Sequence, residues 1–195
     1  MIDFDIPADV AALRDQIRAF VNDKIIPYET DPRLTRHGPD DGLRAELVGL
    51  AREAGLLTFQ APKRFGGGRE PSHREQAVLF EAAGWSTLGP IALNCAAPDE
   101  GNMFLLGRVA SDEQVEQFLI PVIDGRQRSV FAMTEPGGAG SDPNQLNTTA
   151  EFDGTHYVIN GRKWLITGAN GARTWIIMAR VAPNPHGPED RKSVV

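Results

Sequence analysis

The hydrophobic pattern of this chain changes its period near residue 126, and that change limits the folds open to it. Up to that point apolar residues recur every three or four positions, as on one face of an α-helix. The clearest runs are Val10, Leu13, Ile17, Phe20 and Val21 after Pro7, and Leu43, Leu47, Leu50 and Ala54 before Gly55. Beyond it, short β-branched and aromatic runs are separated by Asp153-Gly154 and Asn160-Gly161, which supply the positive φ angles of tight hairpin turns. The sequence therefore predicts an α+β fold, with a helical domain over residues 1–126 and an incomplete β-rich domain over residues 127–195.

Local signals predict where several elements begin and end. Two capping boxes are predicted at helix starts, one formed by Ser72 and Glu75 and the other by Ser111 and Gln114. In each, the serine hydroxyl and the side chain three residues later can both accept a hydrogen bond from a backbone N–H of the first turn. The three glycines at 66–68 predict a flexible turn rather than a phosphate-binding loop, because no Lys-Ser or Lys-Thr pair follows them. Strands are predicted at 129–134, 148–152, 156–160, 162–167 and 174–181, and a last strand is predicted to begin at 193, with no further strand after it to act as a partner.

Composition excludes several classes of function. A formal net charge of -6 argues against nucleic acid as a partner, since phosphate contacts need clustered Lys and Arg. The single cysteine, Cys95, allows no internal disulfide; it predicts a reducing, cytoplasmic compartment and a place in the helical core. No apolar run reaches the roughly 18 residues of a membrane span. The four histidines are too far apart to predict a metal site, and His73 is expected to lie exposed in the first turn of a helix.

Two segments of the second half could carry chemistry. In residues 131–142, a strand leads into a glycine-rich loop with Thr134 at its entry and Ser141 near its exit; successive backbone N–H groups in such a loop can hold an anion. In residues 159–169, Trp164 and Thr167 lie beside a second glycine, which suits a flat ring with a polar edge. Each segment alone is also compatible with an ordinary surface loop or a core strand. Arg162 and Lys163 follow a hairpin turn and are predicted to be solvated.

Taken together, these segments resemble the acyl-CoA dehydrogenase family. The motifs are TEPGGAGSD at 134–142 and INGRKWLITGA at 159–169. The stretch APDEGNM at 97–103, and Gly138 as an extra residue in the first motif, resemble the branch whose large eukaryotic members are fused to a kinase-like domain. The resemblance implies a helical amino-terminal domain and the first strands of a β-barrel-like middle domain, without the carboxy-terminal helical bundle.

The resemblance also implies FAD as the cofactor and an acyl-CoA as the substrate. The implied cofactor-binding residues are Phe131, Met133, Thr134, Gly140, Ser141, Trp164, Leu165, Ile166 and Thr167. In the family, Thr134 would bond the polar edge of the flavin, Thr167 would lie near its N5 atom, and Ser141 would also meet the substrate. Leu165 departs from the pattern, since many relatives have an aromatic residue there. Thr134 and Thr167 are expected to face one shallow apolar pocket.

The implied reaction converts an acyl-CoA to a trans-2-enoyl-CoA, as in fatty-acid β-oxidation, and passes electrons to an electron-transfer flavoprotein. The complete enzyme is expected to be a homo-oligomer. The catalytic base of the family is a glutamate of the carboxy-terminal domain, so it is expected beyond Val195. Glu135 is expected to be structural, and Asp99 with Glu100 to be a solvated pair at a helix start. Two alternatives stay open: a flavin oxidase or monooxygenase on the same scaffold, and a non-catalytic or split subunit that binds FAD or acyl-CoA.

Overall fold

The computed structural model describes residues 5–137 and 142–181, and the backbone of 191–194. These residues divide into two compact units, and the boundary falls between Arg126 and Gln127. The first unit is helical and the second is built on a sheet. The α+β prediction is therefore confirmed.

Seven α-helices lie within residues 5–126 of the helical unit. They are α1 (Ala8–Phe20), α2 (Asp41–Glu53), α3 (His73–Ala83), α4 (Gly89–Ala92), α5 (Asp99–Val109), α6 (Asp112–Gln114) and α7 (Ile120–Ile123). A π-helical turn, Val21–Ile25, and a 3-10 turn, Ile26–Thr30, extend α1; a second π-helical turn, Val115–Leu119, links α6 to α7. The long connection from α2 to α3 contains a 3-10 turn at Lys63–Phe65. Strands β1 (Leu34–Thr35) and β2 (Gly38–Pro39) form a small antiparallel pair before α2.

The predicted helix caps are present. Ser72 and Glu75 form a complete capping box at α3, and Ser111 and Gln114 form another at α6. Gly55 has a φ of +68° just after α2, a conformation that ends helices and that glycine adopts without a steric penalty.

The amphipathic faces of the helices meet in one apolar core. Its fully buried members include Val10, Ile17, Leu43, Leu47, Leu79 and Leu93. Cys95 belongs to this core, as predicted, and burial raises the pKa of its thiol to about 12. The thiol therefore stays protonated and unreactive at neutral pH.

The second unit contains a mixed five-stranded sheet. Its strands are β3 (Ser129–Ala132), β4 (Thr149–Phe152), β5 (Tyr157–Asn160), β6 (Thr174–Val181) and β7 (Arg191–Val194). Strand β6 is central: it pairs in parallel with β3 and β4 and antiparallel with β7, while β4 and β5 form a hairpin. Among the described residues these strands do not close into a barrel.

One strand prediction is wrong. Residues 162–167 form no strand, because Leu165 adopts a φ of +52°, outside the extended region of backbone conformation. The last predicted strand is present as β7, which begins at Arg191 rather than at 193, and its Ser193 and Val194 pair with Met178 and Ile177 of β6. The absence of a helix from residues 148–167, all of which are described, is as predicted.

Candidate functional site

The two glycine-flanked segments predicted to carry chemistry lie side by side in the second unit. The backbone N–H of Trp164 donates to the carbonyl of Thr134 at 3.1 Å. The Lys163 ammonium donates to the carbonyl of Met133 at 2.9 Å. The end of β3 and the segment after β5 are therefore held together by direct hydrogen bonds, although 30 residues separate Met133 from Lys163 in the chain.

The carboxylate of Glu135 lies at the centre of these hydrogen bonds, and this residue with its partners Lys163, Asn147 and Thr148 is called the hub of the site. Only 6% of the residue is exposed. One oxygen accepts from the N–H of Thr148 and from the Lys163 ammonium, both at 2.9 Å, and the other accepts from the N–H of Asn147 at 2.5 Å. Burial raises the pKa of Glu135, but the hydrogen bonds from Thr148, Asn147 and Lys163 outweigh it and bring that pKa from 4.5 to about 2. This carboxylate is therefore ionised and fully engaged, in keeping with the structural role expected of it.

Lys163 corrects a prediction. Its side chain is only 10% exposed and forms the ion pair with Glu135, so it is not a solvated charge. Arg162, its neighbour, is exposed as expected. The Lys163 side chain turns inward because the buried carboxylate of Glu135 and the carbonyl of Met133 both accept from its ammonium.

Apolar side chains next to this hub are exposed. Trp164 is 48% exposed and Leu165 is 81% exposed. Leu165 also has a left-handed backbone, with a φ of +52°, which costs a residue with a Cβ roughly 1–2 kcal/mol. A strained conformation that turns an apolar side chain toward solvent stabilises nothing in the free chain. Such strain is found mostly at ligand sites.

The other predicted cofactor residues are distributed around these two. Phe131 and Thr167 are exposed, whereas Met133, Thr134 and Ile166 are half-buried. Gly140 and Ser141 lie outside the described residues. The expectation that Thr134 and Thr167 face one apolar pocket stays a prediction.

Three glycines within the two segments occupy positions where a larger residue would be strained or would clash. Gly137 and Gly168 have φ angles of +83° and +80°. A Cβ on Gly161 would lie 2.2 Å from the hydroxyl oxygen of Thr148 and 2.7 Å from its Cα, so only glycine fits between the end of the β4–β5 hairpin and the start of β4. The prediction of a hairpin turn at Asn160-Gly161 is wrong, because Asn160 ends β5, Gly161 has no positive φ and no strand begins directly after it. A single sequence contains no signal for the close approach to Thr148.

A separate cavity lies within the helical unit. It has a volume of about 880 Å³, and Gln60, Arg64, His73, Glu100, Met103 and Phe104 are among its lining residues. Burial raises the pKa of Glu100, against the opposing charge of His73. The prediction of a solvated Asp99–Glu100 pair is wrong, because Asp99 is buried and its carboxylate lies 3.2 Å from the guanidinium of Arg44. His73 is exposed, as predicted.

Metal sites and membrane-spanning helices are both absent from the described residues. Within the part of the chain that the structure describes, no group of three or more His, Cys, Asp or Glu side chains is placed to hold a metal ion. No helix in residues 5–137 or 142–181 has both the length and the apolar character needed to cross a membrane.

Comparison with known protein families assigns each of the two units to a known domain. Residues 7–126 match the acyl-CoA dehydrogenase N-terminal domain, and residues 130–195 match the acyl-CoA dehydrogenase middle domain. The chain belongs to the acyl-CoA dehydrogenase family. The resemblance seen in the two motifs is thereby confirmed, and the family is one of oxidoreductases.

Individual relatives agree with this assignment. The chain is 37% identical over 191 residues to a probable acyl-CoA dehydrogenase, FadE2, of Mycobacterium tuberculosis, an alignment that covers 94% of this chain and 46% of FadE2. A putative acyl-CoA dehydrogenase structure from Mycobacterium abscessus superposes with a TM-score of 0.83 at 35% identity and covers 97% of this chain and 50% of that one. The acyl-CoA dehydrogenase of Bacillus anthracis, solved in complex with FAD, shares the fold with a TM-score of 0.68 at 24% identity; the match covers 99% of this chain and 31% of that one. The chain thus spans about half the length, or less, of these relatives.

Proposed function

We propose that this chain forms the flavin-facing part of an FAD-dependent acyl-CoA dehydrogenase, which converts an acyl-CoA thioester to a trans-2-enoyl-CoA. The observation that carries the proposal is the hydrogen bond from Trp164 to the carbonyl of Thr134. It joins the two motifs that the family uses for its cofactor into one surface. Family membership supports the class of reaction, and the surface supports the place of the cofactor.

The residues at this surface suit the isoalloxazine ring of FAD. Exposed Trp164 and Leu165 offer apolar contact to a flat ring, and the hydroxyls of Thr134 and Thr167 offer hydrogen bonds to its polar edge. Gly140 and Ser141 would approach the phosphates, with Phe131, Met133 and Ile166 completing the contact. When bound, FAD would accept the hydride equivalent from the β-carbon of the substrate.

The α-proton of the thioester needs a separate base, and Glu135 does not suit that role. Its pKa of about 2 leaves it a weak base, and all three of its contacts would have to break for it to move. We propose that the base lies outside these 195 residues. Among the carboxyl groups that the structure describes, Glu100 is one whose pKa is raised by burial, the direction that a general base requires.

The partners of the full reaction belong to the same proposal. Electrons would leave through an electron-transfer flavoprotein, and the complete enzyme would be a homo-oligomer acting in fatty-acid β-oxidation. The oxidase or monooxygenase alternative differs in one observable, because reduced flavin would then consume oxygen.

Titration of the purified chain with FAD tests the cofactor assignment. Weak but saturable binding is expected, since much of so large a ligand would stay uncovered. Trp164→Ala should weaken it severalfold or more. Trp85→Ala is the matched control, because Trp85 is an equally large, 57% exposed indole in the helical unit. Equal effects of the two substitutions would contradict the proposed surface.

An assay of acyl-CoA oxidation with an artificial electron acceptor tests the placement of the base. No steady turnover is expected from the isolated chain at any acyl length, because proton abstraction by a positioned base contributes about a hundredfold to ten-thousandfold. Steady turnover would place a base within this chain, and Glu100→Gln would be the first variant to measure.

A further inference from the structure

We propose that Glu135 and Lys163 form a positioning clamp that holds the two flavin-facing segments, residues 131–134 and 164–167, in the geometry that binds FAD. The proposal rests on the function proposed above, and it assigns to these two residues a role in ligand affinity. Neither is placed against the cofactor. They would act through the backbone groups that they hold.

The first half of the clamp joins Glu135 to the start of β4. Glu135 follows the end of β3, and Asn147 and Thr148 directly precede β4. The carboxylate accepts from the N–H groups of both later residues, so it fixes their backbone beside Met133 and Thr134. Backbone groups that are fixed before a ligand arrives lose no further freedom when it binds, which lowers the entropic cost of binding.

The second half fixes the ring-facing segments. The Lys163 ammonium bridges the Glu135 carboxylate and the carbonyl of Met133, each at 2.9 Å. The next residue, Trp164, donates to the carbonyl of Thr134. The last residues of β3, the residues directly before β4 and the segment with the exposed indole therefore all depend on one ion pair.

The burial of this pair makes it sensitive to substitution. The side chains of Glu135 and Lys163 are 7% and 10% exposed, so removal of either charge leaves the other without its partner in a site that excludes water. Three charge-assisted hydrogen bonds fix the positions of backbone groups, and a fourth joins the two charged side chains. An apolar pair could fill the same space, but it would not fix the direction of any of these groups.

The decisive experiment measures FAD affinity and amide hydrogen exchange in Glu135→Gln and Lys163→Met variants of the full 195-residue chain, at a temperature where each is folded. Glu151→Gln and Arg162→Met are the matched controls, because they remove the same charges from exposed neighbouring positions. Each clamp variant is expected to bind FAD about tenfold to a hundredfold more weakly and to lose protection at the amides of Asn147 and Thr148. The double variant should bind FAD about as weakly as the weaker-binding single variant, because the two residues act together and their effects do not add.

Unchanged affinity in a folded clamp variant would overturn the proposal and leave the pair with a merely structural role. If one variant fails to fold, the other decides the question. If the wild-type chain itself does not bind FAD, the proposed cofactor fails separately. The contact of Glu135 with Asn147 and Thr148 is then judged by exchange alone, and protection retained at those two amides in Glu135→Gln would refute it.

Discussion

Replacing Leu165 with glycine is expected to leave the chain more stable than replacing it with alanine. In helices and strands the order is the reverse, because glycine loses more backbone freedom on folding, by about 0.5–1 kcal/mol. At residue 165 the φ of +52° adds roughly 1–2 kcal/mol of strain for any residue with a Cβ, and glycine avoids it. Since the leucine is 81% exposed, either substitution removes only about 0.5 kcal/mol of burial. The net difference is about 0.5–1 kcal/mol in favour of glycine.

Urea unfolding of the two variants, followed by tryptophan fluorescence and circular dichroism, measures this difference. The free energy of unfolding should be higher for Leu165→Gly than for Leu165→Ala. Both variants should bind FAD less well than the wild type, because both lose the side chain proposed to contact the ring. A Leu165→Ala variant at least as stable as Leu165→Gly would refute the strained backbone, and an undiminished FAD affinity in both would refute the contact.

Two further predictions concern the hub of the site. The pKa of Glu135 is held at about 2, against an ordinary 4.5. Its ionised form should therefore contribute roughly 3 kcal/mol to the free energy of unfolding above pH 4.5, and this contribution should be lost as the pH falls toward 2. As the pH is lowered from 6 to 2, the urea midpoint should fall more steeply for the wild type than for Glu135→Gln, and parallel slopes would contradict this. Gly161→Ala should destabilise the chain by about 1–3 kcal/mol, because the new methyl group would lie 2.2 Å from the Thr148 hydroxyl. Gly49→Ala, inside α2 with no atom within 4 Å of the added Cβ, should instead stabilise by up to about 1 kcal/mol, and thermal unfolding of both variants checks the pair.

Local structure could be predicted from this sequence wherever a few neighbouring residues decide it. The capping boxes at Ser72 and Ser111 and the stop at Gly55 need only residues within one turn of the helix, and the structure contains all three. The predicted strand at 162–167 failed because one left-handed residue, Leu165, ends the extended backbone. A positive φ is uncommon for a leucine, so the residue type gave no local signal of it.

The sequence indicated which two segments belong together, but not the side-chain contacts that hold them. The motifs singled out the residues around Thr134 and Trp164 as belonging together, and a hydrogen bond joins those two residues. The pairing of Glu135 with Lys163 joins residues 28 positions apart, and no local rule connects them. The burial of Asp99 was missed for the same reason, since its partner Arg44 lies 55 positions away.

A ¹H–¹⁵N correlation spectrum of the isotope-labelled chain during FAD titration tests the proposed flavin-binding surface most directly. The predicted result is saturable shifts concentrated at the amides of residues 131–134 and 164–167 and at the indole N–H of Trp164, with the helical unit unaffected. Saturable shifts confined to the cavity around Glu100, or no saturable shift at all, would contradict the assignment of the two motifs to one cofactor surface.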